Sequence, residues 1–284
     1  MESAAPGSDE VLAATRWVSL TVVAILIPAF VILWWLPGDT ANSWAWRIRP
    51  DMTPIFMGAG YGAGAFFFWS AFRSRRWHLA SAGVLSAAVF AAFMLVATLV
   101  HLDRFNQGDA PAVGAFMFYG WVIVYVVSPV LVGLLWLRNQ RTDPRLTEIG
   151  DPQVGRLVRL GARAFGAGAF IAGLVFFAVP RLAIDIWPWA LTPLTARVLA
   201  SFTIQVGTGA VLLSLENRWS GWRLLLQTFL AASVLLLIGA ARAWGDFDHG
   251  NPLSYAFVVG LALTAAAIAV LYLRTEAPSQ PGAA

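Results

Sequence analysis

Long apolar runs broken by short polar stretches dominate the chain. A hydrocarbon layer about 30 Å thick is crossed by about 20 residues of α-helix. Eight stretches meet that length: about Trp17–Leu36, Met52–Phe72, Leu79–Val100, Val113–Leu137, Leu160–Val179, Leu194–Leu215, Arg223–Ala243 and Ser254–Leu273. The pattern predicts an all-α integral membrane protein with eight transmembrane helices. The fifth span is the weakest, because Arg163 falls in its first turn and has to reach the headgroups. Ser128-Pro129 predicts a kink near the middle of the fourth.

Composition agrees with this pattern. The chain of 284 residues is 59% hydrophobic and 12% charged. Soluble domains carry about 25% charged residues. A soluble enzyme, a disordered chain and a fibrous protein are all excluded. There is no Cys, and all 19 basic residues are Arg. Disulfides, thiolate metal sites, a Cys nucleophile and a Lys Schiff base are therefore unavailable to it. The missing Lys is the mark of high-GC coding.

The net charge of +4 reads as topology and not as a nucleic-acid patch. Thirteen Arg fall on one side of the predicted spans, including Arg73, Arg75, Arg76 and the loop Arg138–Arg163. The other six are Arg47, Arg49, Arg104, Arg181, Arg197 and Arg242. Cytoplasmic loops carry the excess of Arg. The expected placement is thus the plasma membrane, multi-pass, with both termini cytoplasmic.

The chain also matches itself at an offset of 143 residues. Arg16 falls on Arg159, Pro37 on Pro180, Trp44 on Trp187, Trp46 on Trp189, Pro50 on Pro193, Gly64 on Gly207 and Asp103 on Asp246. Two parallel four-helix repeats (4+4) follow, related by an axis along the membrane normal. The expected organisation is a disordered cytoplasmic tail over 1–15, a first repeat over 16–138, a solvated cytoplasmic linker over 139–158, a second repeat over 159–274 and a disordered tail over 275–284.

Candidate chemistry gathers at the outer ends of the spans. Trp44-Ala-Trp46 and Trp187-Pro-Trp189 each precede a span. They form either an aromatic belt at the headgroups or the wall of a ligand vestibule. Thr192 is placed as a helix N-cap with Pro193 as the first helical residue. Arg197 lies about one turn inside the sixth span, where a charge needs a partner; Asp185, Asp246 and Asp248 are the candidates. Arg242 and Asp246, four apart, can pair with each other. The loops His101-Leu-Asp103-Arg104-Phe-Asn106 and Asp246-Phe-Asp248-His249-Gly-Asn251 bring two His and three Asp to the same side. They suit helix capping and Arg pairing, and offer weak candidates for a metal in His101, Asp103, Asp246, Asp248 and His249.

The run Trp187-Pro-Trp189-x-Leu191-Thr192-Pro193-Leu194-x-x-Arg197, with His101-x-Asp103-Arg104-Phe105 upstream, resembles polytopic membrane proteins of high-GC bacteria. The resemblance covers two short segments. It implies that these external ends matter, and brings no activity with it.

Gly58, Gly60, Gly62 and Gly64 lie inside an apolar span with no preceding strand. A dinucleotide loop fails its context there, and close helix packing is the expected role. No catalytic motif is present. The few polar groups at depth, Gln205 and Gln227, argue against a midplane proton path.

The leading expectation is a transporter-like or ligand-binding protein. Its outer pocket between the repeats would be lined by Arg197, Trp187, Trp189, Trp44, Trp46, His101, Asp103, Asp246 and Asp248. Arg197 would hold a small anionic ligand. No cofactor is expected; the partners are the lipid bilayer and, in the second reading, other subunits of a membrane complex for which the chain is a non-catalytic accessory. A third reading is a membrane-embedded enzyme using the outer His and Asp residues.

Overall fold

A computed structural model describes residues 7–106, 112–147 and 149–276. The described chain is all-helical, with three isolated β-bridges. Its α-helices are α1 (Ala13–Trp35), α2 (Thr40–Ser43), α3 (Met52–Arg73), α4 (Ser81–Val100), α5 (Ala112–Asn139), α6 (Arg156–Ala178), α7 (Pro180–Ile186), α8 (Pro193–Leu215), α9 (Trp219–Arg242) and α10 (Pro252–Glu276). Eight of these, all but the short α2 and α7, are long and apolar enough to span a membrane. They fall on the eight predicted stretches. A helix satisfies its own backbone, which an apolar solvent demands, so hydropathy alone located them. The protein is a multi-pass, all-α membrane protein.

Local signals set several boundaries. Thr192 caps α8, exchanging hydrogen bonds with Thr195, and Pro193 opens the helix. The helix α5 runs unbroken through Pro129, as α1 does through Pro28. The α6 helix begins one turn earlier than expected, and Arg163 reaches across to α8, where its Nε donates to Ser214 Oγ at 3.2 Å.

Two helix pairs are the most intimate, α1 with α3 and α6 with α8. Glycine permits both. A Cβ on Gly207 would stand 2.5 Å from the Phe170 backbone nitrogen and 2.8 Å from the Gly166 carbonyl oxygen. On α3, Gly58, Gly62 and Gly64 face Trp34, Phe30 and Leu26 of α1, whereas Gly60 receives the ring of Phe202 from α8. The α4 helix packs on α5 and α9 on α10. The two halves of the chain join where α4 lies on α8 and α3 lies on α9.

The Arg-rich end departs from expectation. Residues 7–12 are not a free tail: Asp9 N–H donates to the Thr142 carbonyl, the Asp9 carbonyl accepts from Trp77 N–H, and Glu10 bridges to Arg76. The linker over 139–158 is likewise docked, with Gln153 bridged to Arg218 and Val154 N–H on the Asn217 carbonyl. The reason is backbone satisfaction: the α3–α4 and α8–α9 turns leave N–H and C=O groups that a short extended segment can pair. Polar composition alone concealed this. Residues 1–6 and 277–284 of the expected tails lie outside the described residues.

Candidate functional site: two polar ends and an aromatic seam

At the Arg-poor end, Arg197 in the first turns of α8 meets His101, which follows α4. Arg197 Nη1 lies 2.8 Å from His101 Nε2. Partial burial lowers the His101 pKa, and the Arg197 charge lowers it further, against a smaller opposing pull from Asp103. The ring is therefore the neutral acceptor of the Arg197 hydrogen bond. None of the three anticipated carboxylates reaches Arg197, since two are engaged elsewhere. Asp246 Oδ2 accepts from the Met52 N–H at 2.7 Å and so holds the start of α3. Asp248 accepts from Gly250 N–H within its own turn, and Asp185 is exposed.

The remaining predicted residues separate. Asp103 pairs with Arg104 at 3.0 Å in an exposed loop, and His249 Nε2 lies 3.1 Å from the Trp244 carbonyl. Arg242 does not pair with Asp246; its guanidinium stacks over Trp34 and Trp35 at 5.2 and 5.5 Å. Among the described residues no three His, Asp or Glu side chains stand close enough to share a metal ion. The Trp pairs point inward: Trp44, Trp46 and Trp189 are buried. Trp46 meets Trp121 and Phe105 at 4.9 and 5.0 Å, and Trp189 Nε1 donates to Thr53 Oγ1 at 2.9 Å. Trp187 stands edge-on to Trp189 at 5.5 Å. The indole N–H groups of Trp44, Trp46 and Trp187 have no hydrogen-bond partner among the described residues.

Below Arg197 the seam between the halves is filled by aromatic rings. Phe202 contacts Phe90 at 4.6 Å, Phe56 at 5.6 Å and Tyr61 at 5.9 Å. Tyr61 Oη and Tyr125 Oη are hydrogen-bonded at 2.9 Å. An apolar cavity of about 430 Å³ lies beside this plug, between α1, α3 and α5, with Trp44, Tyr61, Gly120 and Tyr125 in its wall.

At the Arg-rich end a polar cavity of about 570 Å³ opens between the halves. His78, Gln140 and Asp143 line one side, and Glu216, Asn217 and Arg218 the other, with Arg145 at its rim. Arg218 is only 4% exposed. It forks onto Asp143 (2.9 and 3.0 Å) and again onto Glu216 (2.8 and 2.6 Å). Burial alone would lower the Arg218 pKa; the hydrogen bonds to Glu216 and Asp143 prevail and raise it. Burial pushes the Asp143 carboxyl up. Hydrogen bonds from Arg218 and the Arg145 backbone, with the charges of Arg218 and His78, hold it below the usual carboxylate range.

His78 completes this end. It is 5% exposed and stands between Asp9 and Ser220, and Ser220 in turn donates to Asp151. The sequence reading passed over this group. The signal was present: Asp9 and Asp151, and Trp77-His78 and Trp219-Ser220, stand at an offset of 142, one residue from the offset of the other matches. Comparison with protein-family models, with curated proteins and with solved structures found no match to this chain.

Proposed function

We propose that the chain is a plasma-membrane protein with cytoplasmic termini that binds a small polar or anionic ligand and works in the manner of a transporter. It is built from two parallel four-helix repeats. The observation that carries this reading is the polar cavity at the Arg-rich end, walled by residues of both halves. The repeat is supported by equivalent contacts at equivalent places: α1 on α3 and α6 on α8, α4 on α8 and α9 on α3. Asn106 Nδ2 donates to the Trp44 carbonyl as Asn251 Nδ2 does to that of Trp187. The aromatic plug around Phe202 separates the cavity from Arg197, a half-buried cation whose hydrogen-bond partner is a neutral ring. Such a cation favours an anion arriving from the outer side.

The test is uptake by proteoliposomes of a panel of labelled small anions, inorganic phosphate and short carboxylates among them. Saturable uptake of at least one, lost in Arg197→Gln while insertion and melting are retained, is the expected result. No saturable uptake, or undiminished uptake in that variant, overturns the proposal.

One observation favours the accessory reading. The α10 helix packs chiefly on α9, leaving Val259, Leu263 and Leu273 exposed. Cross-linking in native membranes from cysteines placed on that face would capture a neighbouring subunit. Capture of lipid alone would count against it.

A further inference from the structure

Asp9 and Asp151 perform the same task in the two halves. Asp9 Oδ1 accepts from the His78 backbone N–H at 3.0 Å, and Asp9 Oδ2 lies 2.5 Å from His78 Nδ1. Asp151 Oδ1 accepts from the Ser220 backbone N–H at 3.1 Å, and Asp151 Oδ2 accepts from Ser220 Oγ at 2.6 Å. The side chain so held is an imidazole in one half and a hydroxyl in the other. The two meet across the seam, with His78 Nε2 2.9 Å from Ser220 Oγ.

Counting hydrogens decides what this chain holds. A serine hydroxyl owns one hydrogen, and an ionised carboxylate only accepts. While Ser220 donates to Asp151 it can only accept from His78, so Nε2 carries a hydrogen. Nδ1 faces Asp9, so it carries one as well. Both ring nitrogens donate only in the imidazolium, and the chain is complete with one proton more than a neutral ring provides. Without it, Nδ1 opposes Asp9 lone pair to lone pair, or Ser220 must withdraw its hydrogen from Asp151. The order Asp9, His78, Ser220 is that of a Ser-His-Asp nucleophile, but the polarity is reversed. In that triad the hydroxyl gives its hydrogen to the ring; here it gives it to a second carboxylate.

We propose that Asp9, His78, Ser220 and Asp151 form a proton-binding site that clamps the two halves together at the Arg-rich end, closed with the proton bound and loosened without it. Charges around the ring fit this. Asp9 faces it from the N-terminal segment and Asp151 stands behind Ser220. Asp143 and Glu216, from the linker and the α8–α9 turn, are held by Arg218. Arg218 itself and Arg145, which line the same cavity, are the opposing cations. The proposal does not depend on the identity of any ligand.

The chain's three His and absent Cys make the test direct. Histidine-selective ¹⁵N NMR reads the state of the ring, with His78→Gln assigning the signal. Spin labels on Arg75→Cys and Leu215→Cys, one in each half, read the separation. Over about pH 5 to 8, the range in which histidine switches charge, the imidazolium signal should be lost in the same step as the label distance lengthens. Asp9→Asn and Asp151→Asn, each removing a carboxylate, should move that step to lower pH. In His78→Gln the distance step should vanish; should that variant not insert, the Asp151→Asn shift carries the same information. A ring that stays neutral throughout, a titration with no change in distance, or a distance step that survives His78→Gln overturns the proposal. So does covalent capture of Ser220 by a fluorophosphonate, which requires the opposite polarity.

Discussion

Arg218 is buried against two carboxylates, and that imbalance governs what its loss does. Removing one partner from a buried ion pair costs about 3–5 kcal/mol, because the remaining charge stays unpaired. Arg218→Met leaves Asp143 and Glu216 facing each other, so thermal melting in detergent should show a loss of that order. Lysine has no planar fork and should recover little of it. At the other end, His101 gives a pH effect of definite sign. Its folded pKa lies below the ordinary value of about 6.5, so the unfolded chain takes the proton first. The contribution of His101 to stability is full above that value and declines as pH falls through it toward the folded pKa. In Arg197→Gln the His101 NMR titration should move upward, toward the ordinary midpoint. An unmoved titration would show that Arg197 does not set it. Arg197 itself was legible as a charge needing a partner. His101 as that partner was not, because the choice depends on Asp246 being spent on Met52 in another helix.

At the scale of the helices, the bilayer makes apolar length the decisive signal, and all eight spans were readable from it. Their partners were not, although the glycines hinted at them. Gly207→Ala should weaken the α6–α8 pair by about 1–3 kcal/mol, the range for overpacking. The new methyl would meet backbone atoms of Phe170 and Gly166, which cannot turn aside. Gly120→Ala, with no atom within 4 Å of the added carbon, serves as the neutral control in the same melting series. Gly58, Gly60, Gly62 and Gly64 were expected to permit close helix packing, and all four do, though not against one neighbour. Three meet α1, and Gly60 alone faces the other half.

For the whole molecule, the proposed orientation rests on the uneven Arg distribution. The chain's lack of cysteine allows a clean check. In intact cells a membrane-impermeant maleimide should label Asp103→Cys and spare Ile149→Cys, both in exposed positions. The reverse pattern would invert the molecule. The same scale explains the docked N-terminal segment and linker. Each pairs with the turn between the second and third long helices of its own half, a relation visible only when the two halves are compared as folded units.

By itself the sequence determined the membrane-spanning character and the number of long apolar helices, since each is a property of one segment against its solvent; helix ends it set only to within about a turn, as the early start of α6 shows. The internal match was also readable, apart from the one-residue shift that hid Asp9, His78 and their counterparts. Tertiary structure alone decided which polar groups meet. His78 and Ser220 are 142 residues apart and Arg218 and Asp143 are 75 apart, and no local rule joins them. Helix packing brings them together because an apolar surround leaves a polar side chain at a helix end few partners, and the few it finds come from the other half or from the linker.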